Sequence, residues 1–338
     1  MRSGSAAALG VTFLVFSVAC GGGGSPLAPE SPAAPGPPRV LQGQTASAAD
    51  ATTLAGVSVR LGGKPPTASD SNGYFSVEND VAGTSAIELT GPAIVDRKTD
   101  VRLPSDGVVR FGLIPSSFDL AAFNEMFRGS HDRLQRWTTA PPLVVLTTVM
   151  RFESSEATSA EATDEQIPAS EVDLMVRDLT EALATLTGNT YTAFAQVMRE
   201  STAAGSRTST ARNGQIVVGR FRDLKTKNNI VGYGRWAERE DGVIIGGAVF
   251  LDAGYDAGRD KKLLRTHELG HALGYRHVAS RPSVMNPVLG YDVTDFDRQG
   301  AAIAFQRPPG NRAPDTDPAP AARVSSEGSG VKWMSEVP

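Results

Sequence analysis

Between residues 53 and 115, apolar side chains recur at every second position: Val57, Val59 and Leu61, then Ile87 and Leu89, Val101 and Leu103, Val109 and Phe111. A period of two puts alternate side chains on one face of a pleated strand, so the stretch reads as half-buried β-strands. Clusters of Gly, Pro, Ser, Asp and Asn at 62–66, 69–73 and 104–107 separate the runs, and these residue types turn the chain. Asp70 and Asn72 lie in one such turn. Two readings stand for them, service to the turn's own amides or a calcium site, and the first is the commoner use of such residues. The pattern predicts a small antiparallel β module over residues 51–116.

From residue 117 the period changes. Residues 119–127 read as a short helix, and Leu143-Val144-Val145-Leu146 reads as a buried strand. The polar stretch 153–166 reads as a loop. Over 169–187, Val172, Met175, Val176, Leu179, Leu183 and Leu186 fall on one side of an amphipathic helix. Further strands are expected at 216–218 and within 242–251. Lys225 and Lys227 between them read as solvated loop residues. Thr294, three residues before Asp297, predicts a capped helix running to about residue 305. Asp297 serves that cap. Residues 308–338, rich in Pro, Ala, Ser and Gly with little apolar periodicity, are expected to be disordered. Strand, helix, strands and helix in this order make residues 117–307 a mixed α+β domain.

The chemistry concentrates in His267-Glu268-Leu269-Gly270-His271-Ala272-Leu273-Gly274-Tyr275-Arg276-His277, which holds three of the four histidines in 338 residues. Residues four apart on an α-helix lie within roughly 40° of one another, so His267 and His271 share a face. A continued helix would carry His277 roughly 9 Å further along the axis, so the chain must turn. Gly274 suits the left-handed conformation that ends a helix. Three imidazoles leave the fourth position of a tetrahedral zinc for water, the catalytic arrangement. Glu268, beside the first ligand, is placed to act as general base on that water. No Ser/His/Asp arrangement competes, because only His131 lies outside the motif.

The eleven residues match H-E-x-x-H-x-x-G-x-x-H without a departure. With Ser283-Val284-Met285-Asn286-Pro287 after them, the chain resembles the metzincin clan of zinc metalloproteases. That resemblance implies Zn2+ held by His267, His271 and His277, with Glu268 catalytic. It implies a Met-turn at Met285 that floors the imidazoles without touching the metal, with Asp297 of the following helix either holding that turn or serving its own cap alone. Pro287 stands where some members carry an additional tyrosine ligand, so the chain is matrixin-like in lacking one, and Val278 matches no well-known subfamily residue. A peptide substrate is expected to add as an extended strand beside an edge strand near 246–250. Val288, Leu289 and Tyr291 are expected to line the pocket for the residue after the scissile bond. Residues 70–77 resemble the turn and strand of carboxypeptidase regulatory-like β-sandwiches. The fold class is thus α+β, a metzincin-like protease domain preceded by an all-β sandwich module.

The N-terminus reads as an export signal over residues 1–19, short of the roughly 20 apolar residues that span a membrane. It ends at Cys20, the chain's one cysteine, and resembles a bacterial lipobox, with Ser17 departing from the usual branched aliphatic residue. Lipid attachment at Cys20 is expected, the alternative being plain secretion. A lone cysteine forms no internal disulfide. Residues 20–50, opening with four glycines and then rich in Pro and Ala, read as a tether. The net charge of −4 carries no basic excess, which argues against a nucleic-acid partner. The expected function is an extracytoplasmic zinc endopeptidase with a protein or peptide substrate. The competing readings are a surface-binding protein with a vestigial zinc site, discounted by the intact Glu268, and a zinc amidase acting on a non-peptide or cell-wall amide.

Overall fold

The computed structural model describes residues 39–335 except 81, 130–131, 259–260 and 320–330. The export signal, Cys20, the tether up to residue 38 and His131 lie outside the described residues. Seven strands come first: β1 (Arg39–Ser47), β2 (Ser58–Leu61), β3 (Thr67–Ala68), β4 (Tyr74–Asn79), β5 (Gly83–Thr90), β6 (Arg97–Leu103) and β7 (Val109–Leu113). They form two sheets, β4-β1-β7 and β3-β2-β5-β6, which share one core built on Leu41, Leu61, Phe75, Ile87, Leu89 and Phe111. The alternating residues of the sequence therefore do face inward. Asp70 serves its turn, its carboxylate accepting from the amides of Asn72 and Tyr74 at 2.8 Å each.

Two features depart from expectation here. β1 begins inside the stretch read as tether, and it pairs parallel with β7, not antiparallel. The inward positions of β1 after Leu41 are Gly43 and Thr45, so no apolar alternation marks the strand. Gly43 is needed because a Cβ there would lie 2.2 Å from the Phe75 ring.

The second part contains α1 (Leu120–Phe127), β8 (Leu143–Leu146), β9 (Thr148–Arg151), β10 (Ser159–Gln166), α2 (Ala169–Leu186), β11 (Val197–Glu200), β12 (Arg207–Ser209), β13 (Ile216–Arg222) and α3 (Leu224–Asn228). It continues with β14 (Gly232–Glu238), β15 (Ile244–Asp252), α4 (Ala253–Asp256), α5 (Lys261–Ala272), α6 (Asp295–Phe305) and β16 (Lys332–Ser335). β11, β8, β13 and β15 lie side by side and parallel, and β14 closes on β15 antiparallel. α2 and α5 pack on one face of this sheet through Met175, Leu179, Leu183, Leu264 and Leu269. The opposite face carries a smaller cluster around Phe152, Phe221 and Phe250. The chain is a mixed α+β structure in which the sheet and α2 form the seat for α5. No described helix is long and apolar enough to cross a membrane.

Three further expectations need correction. The polar stretch 153–166 contains β10, whose buried positions are Ala160, Ala162 and Thr163. Small side chains carry no strong apolar signal, and Thr163 is held by its hydroxyl donating to the Val149 carbonyl at 2.7 Å. Residues 246–250 are not at an edge, since β15 is flanked by β13 and β14. The described parts of 308–338 are ordered. Asn311 and Asp315 are fully buried, and Asp315 accepts from Arg307 at 2.7 Å and from Arg97 of β6 at 2.9 Å. Charge pairing orders this segment, which hydrophobic periodicity does not report. Lys225 and Lys227 are exposed, as expected, but on the short helix α3.

Candidate metal centre

α5 presents His267, Glu268 and His271 on a helix whose last nine residues are buried. Its end is a glycine-terminated Schellman turn. Tyr275 N–H donates to the Gly270 carbonyl at 2.9 Å and Gly274 N–H to the His271 carbonyl at 2.9 Å, with Gly274 at φ +96°. The returning chain is pinned by Arg276 N–H on the Met126 carbonyl (2.8 Å) and by Val278 N–H on the Met285 carbonyl (3.0 Å). His277 is thereby brought back to the other two imidazoles.

The ligand atoms of His267, His271 and His277 lie within 4.8 Å of one another, and the cluster can hold a metal ion. Nε2 of His267 is 3.1 Å from Nε2 of His271 and 3.4 Å from Nε2 of His277. Two nitrogens at 2.0–2.1 Å from a tetrahedral ion are separated by about 3.3 Å, so these spacings suit a shared ion. The rear nitrogens are committed elsewhere: His267 Nδ1 lies 2.7 Å from the Val284 carbonyl and His271 Nδ1 2.8 Å from the Tyr275 carbonyl. A carbonyl only accepts, so each Nδ1 carries the proton and each Nε2 turns a lone pair inward. Burial drives the His267 pKa down to about 4, with His277 adding to the effect, and drives that of His271 well below the ordinary histidine range. Neutral imidazoles are the form that ligates.

Glu268 is buried beside them. Its carboxylate rests on the backbone of β14, where a Cβ at Gly232 would lie 2.2 Å from Oε1 and one at Gly234 would lie 3.2 Å from Oε2. Burial pushes its pKa well above the ordinary carboxylate range, and a hydrogen bond with the Gly234 backbone works in the opposite direction.

Beneath the cluster Met285 is fully buried, and a Cβ at Gly270 would lie 2.4 Å from its sulfur. Gly270 thus lets the methionine pack directly against α5. Asp297 does both things left open by the sequence. It completes the cap of α6 with Thr294, and it accepts from the Ser283 hydroxyl and from Val284 N–H at 3.1 Å. Val284 is the residue whose carbonyl holds His267, so Asp297 reaches the cluster through one residue. Three supports went unread in the sequence. Asn286 donates to the Val278 and Arg281 carbonyls, Glu125 accepts from Ala279 N–H at 2.8 Å, and Trp137 Nε1 donates to the Ala272 carbonyl at 3.0 Å. Asn286 lay within the quoted motif, whereas Glu125 and Trp137 act across more than 100 residues with no local signal. Val288 is 80% exposed and Tyr291 49% exposed. A pocket of about 400 Å³ between α2, α5 and the 284–293 segment is lined by Leu263, Thr266, Val284 and Val293, with charged residues among them.

No model of a known protein family matches this sequence, and no curated protein matches it. Among solved structures, the Bacillus anthracis TIE protein aligns at a TM-score of 0.20 with 7% identity, over 63% of this chain and 41% of that one. The chain thus spans less than half of that neighbour, and a likeness of this size carries no argument about fold or function.

Proposed function

We propose that the chain is a zinc-dependent endopeptidase of the metzincin type, exported from the cytoplasm and anchored through a lipid on Cys20. The observation that carries this reading is the convergence of three imidazole Nε2 atoms, with the rear nitrogens of His267 and His271 committed to carbonyls, next to a buried carboxylate that is not one of the ligands. His267, His271 and His277 would hold the zinc. When bound, the ion supplies Lewis acidity, polarising a substrate carbonyl and lowering the pKa of water. Glu268 accepts the proton of the attacking water and delivers it to the departing amine. Its burial disfavours the ionised form and raises its proton affinity, while Gly234 supports the carboxylate and keeps it oriented. Met285 closes the floor of the site with apolar surface, excluding water from the side opposite the substrate.

The test is peptide cleavage by the purified chain, abolished by a chelator and restored by zinc, with metal analysis run in parallel. Glu268→Ala should retain one zinc per chain while cleavage falls about 10²–10⁴-fold, the range for loss of a general base. Near-normal cleavage by this variant would remove Glu268 from the mechanism. A chain that binds zinc but cleaves no peptide, and instead opens a cell-wall amide, would move the reading to an amidase.

A further inference from the structure

β14 would be the outer strand of its sheet were it not covered. β16 pairs with it antiparallel, Lys332 opposite Glu238, Trp333 opposite Ala237, Met334 opposite Trp236 and Ser335 opposite Arg235. The covered half ends one residue short of Gly234, whose backbone bears on Glu268 and His271. The two inner side chains of β16 are held on opposite faces. Trp333 lies over the Arg235 guanidinium at 4.9 Å, and a Cβ at Gly246 would lie 3.2 Å from its ring. Met334 packs on the main core beside Trp236. Arg235 is itself fixed by the Ser155 and Ala157 carbonyls at 2.9 and 2.8 Å. The outer edge of β14 is thus a built strand-addition site, with main-chain hydrogen bonds for affinity and a side-chain position on each face for selectivity.

We infer that residues 332–335 occupy the place of an extended peptide ligand, so that the chain competes with its own substrate for the β14 edge. The inference rests on the endopeptidase reading for what is displaced, but not for whether the edge binds peptide. The direction of β16 gives the substrate class. A ligand lying antiparallel on β14 reaches Glu238 first and Gly234 last, so the residues seated where Trp333 and Met334 sit precede the bond presented to Glu268. Substrates should therefore carry an aromatic residue followed by a long aliphatic residue on the N-terminal side of the scissile bond. Stacking on Arg235 selects the first, and packing beside Trp236 selects the second.

A tethered segment acts at an effective concentration of about 1 mM, so an intrinsic affinity of about 100 µM would raise the apparent KM about tenfold. Three zinc-loaded proteins decide the matter: the full chain, a chain ending at residue 319, and the full-length Trp333→Ala/Met334→Ala variant. The probe is a fluorescein-labelled peptide of residues 331–335, followed by anisotropy, a readout that needs no hydrolysis. The shortened chain should bind the peptide and the full chain at least about tenfold more weakly, with the double variant between them. Where peptide cleavage is observed, KM should fall by a similar factor on shortening while kcat is kept. Equal peptide binding by the full chain and a folded shortened chain, or none by the shortened chain, overturns the inference. Should the shortened chain fail to fold, a double variant with parental peptide binding and KM overturns it. An inactive chain that shows the expected binding pattern keeps the edge as a peptide site and counts against the endopeptidase reading alone.

Discussion

Gly274→Val changes no ligand, yet it should cost the site its metal affinity. Gly274 sits at φ +96° in the turn that brings His277 back, a region that L side chains rarely enter and that a β-branched residue enters worst. Holding a non-glycine residue in such a conformation costs on the order of 1–3 kcal/mol. Contacts add to this. The first side-chain carbon would lie 2.5 Å from Cδ1 of Ile244, which can rotate away, and 3.2 Å from the Gln135 carbonyl oxygen, which is backbone and cannot. The lowest-cost relief is to unwind the turn, giving up the bonds from Tyr275 N–H to Gly270 and from Gly274 N–H to His271. Unwinding moves His277 off the other two imidazoles.

The metal would then be held by a helical pair alone. If the 1–3 kcal/mol of strain is relieved in the free protein and must be restored on binding, zinc affinity falls about 5- to 150-fold, at 1.4 kcal/mol per tenfold. His277→Ala, which removes the ligand outright, should lose at least as much. Zinc affinity is measured by competition with a coloured chelator on both variants, alongside their thermal unfolding without metal. Gly274→Ala, with one methyl group and no β-branch, should fall between the parent and Gly274→Val. Parental zinc affinity in a folded Gly274→Val variant would refute the claim that this turn positions a ligand. Parental affinity in His277→Ala would refute a three-histidine site and point to a carboxylate as third ligand.

Two further outcomes follow from the buried polar groups. Asp297→Ala strips the acceptor from the Ser283 hydroxyl, Val284 N–H and Thr294 N–H; it should cost on the order of 1–3 kcal/mol in chemical denaturation and, through Val284, weaken zinc binding about 10–100-fold. Burial raises the Asp315 pKa, but Arg307 and Arg97 outweigh it and hold the carboxyl below its ordinary 3.8. A depressed carboxylate contributes stability in full above its unfolded value and loses it as pH falls through the folded one. Acid unfolding should therefore steepen below about pH 4 and lose that steepening in Asp315→Asn, which at neutral pH should be about 3–5 kcal/mol less stable because two buried guanidiniums lose their carboxylate.

The site was legible because its geometry is local. Four-residue spacing on one helix, a glycine where the helix must end and a third imidazole after it are all encoded within eleven residues, and the structure brings the three imidazoles together. The helices α2 and α6 were legible for the same reason, one by its apolar stripe and the other by the Thr294–Asp297 box. What escaped is held by non-local or non-apolar forces. β1 hides behind Gly43 and Thr45, and β10 behind Ala160, Ala162 and Thr163. The 308–319 segment is ordered by Asp315 and Asp317 bonding Arg97, more than 200 residues away. β16 has one tryptophan and one methionine for a pattern, too short a run to be told from a loop. Strand order is invisible to periodicity altogether, which is why 246–250 read as an edge when the antiparallel β14 lies outside it.

A buried charge network also explains how the helix of the site is set in rotation. Arg265 precedes His267 by two residues and so points about 200° around the helix from it, away from the imidazoles. There it is fully buried, donating to Asp256 at 2.7 and 2.8 Å and to Asp178 of α2 at 2.7 Å. Asp256 is shared with Arg220 of β13 at 2.6 Å. One guanidinium thus ties α5 to α2 and α4, and the shared carboxylate ties both to the sheet. Such buried pairs add little net stability over apolar packing, since desolvation offsets most of the attraction. Their geometry is directional where apolar packing is not: a fork of donors fits two fixed carboxylates in one orientation only. An apolar residue at 265 would let α5 rotate by several degrees at small cost. At about 6 Å from the helix axis an imidazole nitrogen moves about 0.1 Å per degree, so a rotation of several degrees shifts it by about half an ångström and spoils the 3.1 and 3.4 Å spacings of the cluster. With one cysteine in the chain, no internal disulfide can do this work. The network at Arg265 orients the helix from behind, Gly274 returns the third imidazole, and Asp297 holds the residue whose carbonyl sets the tautomer of the first.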